Sequence, residues 1–227
     1  MDSQYQELSG HYDSKTDDYY YNSRTEMVRF IPKGTQRVLD VGCSTGRFGA
    51  NLKRLDNDIQ VWGIEPFASA AGEAAKVLDK VICSTLEKNM SELEGEQFDV
   101  IVFNDVLEHL TEPGSVLTNC KKYLRPGGVV LASIPNILYF PIFFNQIIIR
   151  EDWKYTDEGT LDNTHVRFFT RKSIIRLFED QQYHIQSITG INAFVPKYYW
   201  LLNWVTFNKL KEWRYRQYAI VAKPFKD

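Results

Sequence analysis

The chain has 227 residues, with 27 Lys and Arg against 29 Asp and Glu and a formal net charge of −2. This length predicts one large domain with a sizeable core that needs no disulfides. The balanced charge argues against a nucleic-acid-binding protein, which usually shows a basic excess. Three widely spaced cysteines, and a polar N-terminus without a signal-peptide pattern, predict a reduced, cytoplasmic setting.

Short apolar runs alternate with helical patterns after residue 36, which predicts repeated β-α units around a parallel sheet. We expect residues 1–36 to be a lead-in that covers the site, with a helix over 23–30, and 37–227 to be the main domain. The predicted strands are 37–41, 61–65, 80–83, 98–104, 129–134, 184–189 and 218–222. The predicted helices of the domain are 46–55, 69–78, 113–123, 170–180 and an aromatic stretch over 192–213, and the predicted insertion after the fifth strand is about 136–168.

The turn after the first strand combines Asp40 at the strand end, Gly42 and Gly46, and a helix that begins at once. Glycines let the backbone approach a ligand closely, and helix N-termini offer N–H groups to an anionic group. Glu65 ends the second strand 23 residues beyond Gly42, where a carboxylate can accept hydrogen bonds from both ribose hydroxyls. These residues predict a ribose-bearing cofactor, and they fit a nicotinamide dinucleotide equally well.

Three ordered segments resemble class I S-adenosylmethionine (SAM)-dependent methyltransferases. Residues 38–46 (Val-Leu-Asp-Val-Gly-Cys-Ser-Thr-Gly) are similar to the first motif of that family. Residues 98–102 with Asp-Val-Leu-Glu-His-Leu at 105–110 resemble its fourth strand and following loop, and Leu-Arg-Pro-Gly-Gly at 124–128 resembles the turn before its fifth strand. The resemblance implies a Rossmann-like, doubly wound α/β fold with a seven-stranded, mostly parallel sheet and an antiparallel last strand.

The resemblance also implies which residues hold SAM. Asp40 would organise the turn and approach the methionine amino group, and Asn104 would offer its backbone to the same group. Gly42 would lie under the cofactor, and Glu65 would hold the ribose. The cofactor residues predicted around these two strand ends and the fourth are Asp40, Gly42, Cys43, Gly46, Glu65 and Asn104.

Two positions depart from the family pattern. The family usually places an acid after the third strand to receive the adenine amino group, whereas this chain has Ser84 and Thr85, with Glu87 further on. We expect Ser84 or Thr85 to bind the adenine instead, or Glu87 to reach back. Ser44 replaces a glycine of the first motif, which is tolerated if its backbone torsions are ordinary.

Arg24 lies in a Tyr-Tyr-Tyr-Asn-Ser-Arg segment at 19–24 that resembles a lead-in of some relatives. A guanidinium can bind a carboxylate through two parallel hydrogen bonds, so Arg24 is a candidate for the methionine carboxylate of SAM. Tyr20 is a candidate lid over the site. The alternative is that Arg24 is a surface residue of an amphipathic helix.

Four histidines are candidates for a base, which transfer to a hydroxyl usually needs. We expect His184 to be structural, and His11 lies in the lead-in. His109 follows the fourth strand, and His165 lies in a segment that resembles the His-x-Arg-Phe-Phe-Thr run of methyltransferases associated with sugar or polysaccharide pathways. Packing roles for both remain open. We expect no metal, because no His, Asp or Glu cluster shows convincing ligand spacing along the chain.

The segment 194–218 mixes tryptophans and tyrosines with basic residues. Such a segment is typical of a peripheral membrane contact, of packing against the sheet or of a homodimer face. The predicted function is methyl transfer from SAM to a small-molecule or carbohydrate acceptor at oxygen. The alternatives are a SAM-binding protein with a degenerate catalytic site and, from another class, a nicotinamide-dependent oxidoreductase.

Overall fold

The computed structural model describes residues 24–86 and 90–225. Three residues discussed above, His11, Tyr20 and Glu87, lie outside these ranges, as does most of the predicted lead-in. No helix within the described ranges combines the length and the apolar character needed to cross a membrane.

Seven strands form the sheet at the centre of the described chain: β1 (Arg37–Val41), β2 (Gln60–Ile64), β3 (Lys80–Ile82), β4 (Phe98–Asn104), β5 (Leu124–Pro135), β6 (Tyr183–Ala193) and β7 (Tyr215–Pro224). Their order in the sheet is β3-β2-β1-β4-β5-β7-β6. The first five strands pair in parallel, whereas β7 lies antiparallel between β5 and β6. The predicted fold class is therefore confirmed, including the antiparallel last strand.

Helices cover both faces of the sheet: α1 (Thr25–Val28), α2 (Arg47–Leu55), α3 (Ala68–Ala74), α4 (Pro113–Cys120), α5 (Phe140–Ile142), α6 (Arg171–Asp180) and α7 (Tyr198–Val205). Successive side chains of a strand point to opposite faces, so Val38 packs in one core with α2 and Leu39 in the other with α4 and α6. β4 is apolar on both faces because both are covered.

The aromatic stretch 192–213, predicted to be helical, is only partly so. β6 continues to Ala193, which pairs with Tyr215 of β7, because pairing extends the strand beyond its local apolar pattern. The helix α7 then ends before Phe207 and Asn208, whose φ angles of 53° and 61° lie in the left-handed region.

Two predicted helices are shorter than expected. The helix predicted over 23–30 is reduced to the four residues of α1, because Arg24 at its N-cap has a left-handed φ of 47°. The helix predicted over 69–78 ends as α3 at Ala74, and a turn follows.

The region predicted as an insertion, about 136–168, lies between β5 and α6. It begins with α5 and a π-helical segment, Phe143–Ile149, and continues as irregular chain. Its ends are held together, because the Ile137 N–H donates to the Phe169 carbonyl at 2.9 Å. α6 begins directly after it with a capping box between Thr170 and Ser173, as the Thr170 cap predicts.

Candidate active site

A cavity of about 550 Å³ lies at the carboxyl ends of β1, β2 and β4. This is the edge at which open α/β sheets bind their ligands. Asp40, Glu65 and Asn104 form one part of its wall, which we call the cofactor side, and Glu108, His109 and His165 form another, which we call the acceptor side. The structure therefore places candidates from the two groups around one space.

The turn between β1 and α2 is held against β2 by its backbone. The N–H groups of Gly42 and Cys43 both donate to the carbonyl of Ile64, at 2.8 and 3.1 Å. Gly42 has a left-handed φ of 70°, and a Cβ there would lie 2.7 Å from Cγ2 of Val106. A side chain at position 42 would therefore displace the loop that follows β4.

Gly46 differs from the other predicted cofactor residues, because it does not line the cavity. It is the N-cap of α2 with a φ of 78°, and a Cβ there would lie 2.8 Å from Cγ2 of Val77. Close packing against the turn after α3, rather than a ligand contact, therefore requires a glycine at position 46.

The condition under which we expected Ser44 to be tolerated, ordinary backbone torsions, is not met. The φ of Ser44 is 50°, so its torsions are not ordinary but lie in the left-handed region that disfavours a side chain. This conformation aims its N–H at Oε2 of Glu65, at 2.8 Å. The turn thus keeps the conformation that suits glycine and uses it to fix Glu65.

Two buried carboxyls stand close together on the cofactor side. Burial, and then the charge of Glu65, raises the pKa of Asp40 to about 8. Burial also raises the pKa of Glu65 to about 7, although the N–H groups of Phe67 and Ser44 oppose the shift. A cationic ligand or a set of donors in the cavity would compensate both groups.

The cofactor side also holds polar atoms that have no hydrogen-bond partner among the described residues. These are Oδ1 of Asp40, Oγ of Ser44 and both side-chain amide atoms of Asn104. Buried polar atoms usually have hydrogen-bond partners, so unpaired polar atoms in a cavity wall indicate that the cavity binds a polar ligand. SAM carries an ammonium group and two ribose hydroxyls, and these donors fit the orphaned acceptors.

The described segment after β3 departs from the family pattern in the structure as well, because it places no acid at the cavity. Ser84 and Thr85 line the cavity and are half-buried, at the place where the family pattern leads us to expect an acid. Within residues 83–86, no side chain is acidic. The polar side-chain groups that this described segment can offer to the adenine of SAM are therefore the hydroxyls of Ser84 and Thr85.

Arg24 lines the cavity but is held by a network of side chains. Its guanidinium forms a salt bridge with Asp105, with Nη1 2.9 Å from Oδ2, and donates to Ser133 and to Gln217. Gln217 in turn donates to both oxygens of Asp105, at 2.8 and 2.9 Å. In this structure Arg24 joins the loop after β4 to β5 and β7.

The acceptor side brings together residues that are distant in sequence. His109 lies in a 3₁₀ turn after β4, and His165 lies in the region predicted as an insertion. Their ring centroids are 4.7 Å apart, and Nε2 of His165 is 3.8 Å from Oε1 of Glu108. Burial, and then the charge of Asp105, raises the pKa of Glu108 well above its ordinary value. The two predicted histidines are thus neighbours, with a carboxyl that the sequence did not single out.

Sequence reasoning missed three residues of the cavity wall, Asp105, Glu108 and Gln217. It also missed Ser133 of β5, which forms hydrogen bonds with Arg24 and Asp105 of that wall. Ser133 interrupts an otherwise apolar strand, which is a signal that a buried polar residue has a partner. Gln217 gave no comparable signal. Asp105 stood in the recognised segment 105–110, but its role depends on how β7 and the loop after β4 meet. Glu108 stood within a recognised segment, but its approach to His165 depends on the fold.

Comparisons with known proteins agree with this geometry. A family model described as a methyltransferase domain matches residues 12–188. A ubiquinone biosynthesis O-methyltransferase from Vibrio cholerae is 32% identical over 174 residues, which cover 72% of this chain and 68% of that protein. Another of the same name, from Psychrobacter cryohalolentis, is 29% identical over 201 residues, covering 83% of this chain and 75% of that one.

Solved structures support the same fold. A SAM-dependent methyltransferase from Archaeoglobus fulgidus has a TM-score of 0.66 at 19% identity, over 90% of this chain and 94% of that one. A plantazolicin methyltransferase in complex with SAH has a TM-score of 0.61 at 16% identity, over 96% and 89%. The match over residues 12–188, together with these relatives, shows that the chain belongs to the class I SAM-dependent methyltransferases.

Proposed function

We propose that the chain transfers the methyl group of SAM to a hydroxyl oxygen of a small-molecule acceptor. The observation that carries the proposal is the single cavity whose wall contains both the cofactor side and the acceptor side. SAM supplies a methyl group on a positively charged sulfur. The protein must therefore position the two reactants, exclude water and remove the acceptor proton. The relatives named O-methyltransferases support oxygen as the methylated atom.

The cofactor side assigns a role to each of its residues. Glu65 is fixed by the N–H groups of Ser44 and Phe67, so it presents a carboxyl for the ribose hydroxyls. Asp40 and Asn104 have orphaned side-chain atoms for the methionine ammonium group. Ser84 and Thr85 would then meet the adenine base, in a departure from the family pattern.

Arg24 has a different role in this proposal from the one that its sequence position suggests. Its guanidinium is engaged with Asp105 and Gln217, so it holds the cavity wall in shape. A methionine carboxylate would have to compete with Asp105 for it. We therefore propose that Arg24 orders the cavity wall.

The acceptor side handles the proton of the hydroxyl. Imidazole is the common base at neutral pH, and His109 and His165 lie next to each other in the wall. The irregular region around residues 158–166 contributes much of this wall, so it would select the acceptor. Aromatic diols and sugars both offer suitable hydroxyls.

The test has two steps. Isothermal titration with SAM should show saturable binding at one site per chain, and the absence of binding would overturn the proposal. Radiolabelled SAM is then incubated with a panel of aromatic diols, monohydroxy aromatics, monosaccharides, amines and thiols, with the Glu65→Gln variant as a matched control. Label in a hydroxylated compound supports the proposal, whereas label only in amines or thiols contradicts it.

A SAM-binding protein without activity is the second candidate, because Ser44 and the segment 83–86 depart from the family pattern. It predicts that SAM binds while no acceptor in a broad extract of small molecules becomes labelled. Restoring the family residue with Ser44→Gly should then change neither result.

We also propose that the surface of α7 contacts an anionic membrane. Tyr199 is fully buried, but Trp200, Leu201, Trp204 and Val205 are exposed, with 73% of Trp204 accessible. Lys197, Lys209, Lys211 and Arg214 flank α7 in the sequence, and the Arg214 guanidinium lies 5.9 Å from the centroid of the Trp200 ring. These cations would attract acidic headgroups. The segment therefore both packs and presents an apolar surface.

Sedimentation with vesicles tests this contact. The protein should sediment with vesicles that contain phosphatidylglycerol and remain in the supernatant with neutral phosphatidylcholine, and Trp204→Ser should abolish the difference. Equal behaviour with both vesicles would overturn the proposal. Scattering analysis of the same samples would reveal a homodimer through this surface instead.

A further inference from the structure

The side chains of Glu108, His109 and His165 converge in the cavity wall. One ligand-type atom of each lies within 4.8 Å of the others. Two imidazoles and one carboxylate form a donor set that divalent transition metals use, with coordination positions left for water or substrate. Glu108 and His109 are adjacent, but His165 is distant from them in sequence, which is why the spacing along the chain gave no sign of a metal.

The hydrogen bonds around His109 fix its tautomer. The Thr164 hydroxyl donates to Oδ1 of Asp162 at 2.6 Å, so its oxygen accepts from the other side. That oxygen and the Thr164 carbonyl lie 3.1 and 3.2 Å from Nδ1 of His109. Nδ1 therefore carries the proton, and the lone pair is on Nε2. Metal-bound histidines are usually oriented in this way.

His165 is oriented by the same kind of contact. Its Nδ1 lies 3.2 Å from the carbonyl of Thr160, which can only accept a hydrogen bond. The proton is again on Nδ1, and Nε2 carries the lone pair. Nε2 is also the atom that faces Oε1 of Glu108, at 3.8 Å. Both imidazoles thus offer the same nitrogen as a ligand.

Glu108 supplies the independent observation. It is 1% exposed, and neither oxygen of its carboxyl has a hydrogen-bond partner among the described residues. Its own carbonyl accepts from the N–H groups of Val166 and Arg167, at 3.1 and 3.0 Å, and so attaches the loop of His165 to the turn of His109. A buried carboxylate without a hydrogen-bond partner costs free energy, and a bound cation would lower that cost.

We propose that Glu108, His109 and His165 bind one divalent cation of the zinc class, with a coordination position open to the cavity. Zinc–nitrogen bonds of about 2.0–2.1 Å place tetrahedral ligand atoms about 3.4 Å apart. The ligand atoms here lie within 4.8 Å of one another, so the side chains must move closer together to complete the site. This inference rests on the proposed function, because it gives the open position to the acceptor hydroxyl.

The cation explains how a weakly acidic hydroxyl reacts near neutral pH. When both imidazoles bind the cation, neither acts as the base, and coordination takes over that role. It lowers the pKa of the acceptor hydroxyl, and the proton passes to water. An oxygen lone pair then forms the bond to the methyl carbon while the carbon–sulfur bond breaks. That electron pair remains on sulfur, which leaves the methylated acceptor, S-adenosylhomocysteine and one proton.

Metal binding is tested on the purified full chain without an acceptor. After treatment with a chelator and desalting, calorimetric titration should show that Zn²⁺ binds at one site per chain. Co²⁺ bound in its place should give the intense visible absorption of a four-coordinate site. Glu108→Gln and His165→Ala should weaken Zn²⁺ binding about 100-fold or more. His184→Ala, which replaces an exposed histidine on β6, is the matched control and should leave binding unchanged.

The outcomes separate this inference from the proposed function. Zinc binding that Glu108→Gln and His165→Ala leave unchanged, or no binding by the parent chain, would overturn the metal site even if SAM binds and a hydroxyl is methylated. Full methylation by a chain shown to be metal-free would overturn it too. Zinc binding without SAM binding would leave the metal site standing and overturn the proposed function.

Discussion

The cofactor side and the acceptor side of the cavity are built in different ways. Asp40, Glu65 and Asn104 sit at the ends of strands or directly after them, so the sheet fixes their positions. The acceptor side combines a turn after β4 with the irregular region that contains His165. A shared cofactor can use a fixed frame, whereas an acceptor that differs between enzymes requires a variable wall.

The largest expected effect tests whether the two sides act separately. His109→Ala should lower kcat by about 10²- to 10⁴-fold, because the acceptor proton loses its route, while the Kd for SAM changes less than about twofold. Steady-state kinetics and calorimetry measure the two quantities, and His184→Ala is the control. A large change in SAM affinity would show that the sides are coupled.

The reverse experiment concerns Glu65. Glu65→Gln should raise the Kd for SAM by about 10- to 100-fold, because charge-assisted hydrogen bonds to the ribose become weaker. Glu73→Gln, at an exposed position on α3, controls for loss of charge alone. Unchanged affinity would mean that Glu65 serves the turn through Ser44 and not the ligand.

The third prediction concerns how the stability of the cofactor side depends on pH. The folded pKa of Asp40 is about 8 against an ordinary 3.8, so the folded state holds its proton more tightly than the unfolded state. Stability of the unliganded protein therefore falls as the pH rises from about 4 to about 8. Asp40→Asn should remove this loss and gain stability at pH 8, but gain little at pH 4.

Urea unfolding without SAM at several pH values measures that gain. Asp58→Asn, at an exposed position, should show no comparable gain at pH 8. A variant at Asp40 that is less stable than the parent at pH 8 would show that its carboxylate is already compensated in the unliganded protein.

The smallest effect concerns the backbone of the cofactor side. A left-handed residue other than glycine costs about 1–2 kcal/mol, and a glycine gives part of this back through the entropy of the unfolded chain. Ser44→Gly should therefore stabilise the protein by about 0.5 kcal/mol, seen as a higher Tm, with little change in SAM affinity. A lower Tm would show that the serine side chain has a structural role.

The same contrast explains what the sequence could predict. Strand ends and glycine turns are local, so the fold class and the positions of Asp40 and Glu65 around a cavity followed from short segments. Pairing across the sheet is not local, so the extension of β6 to Ala193 was missed. The meeting of Glu108 with His165 depends on where a long irregular region returns, and no pattern in either segment specifies that return.

The network around Arg24 has a consequence for how the protein is made. Arg24 lies before the first strand and Gln217 lies on β7, yet they meet across 193 residues and both contact Asp105. During translation the early strands emerge long before β7 does. The cavity wall can close only after that strand has left the ribosome and inserted beside β5, so a nascent chain with every cofactor residue exposed would still lack a finished site.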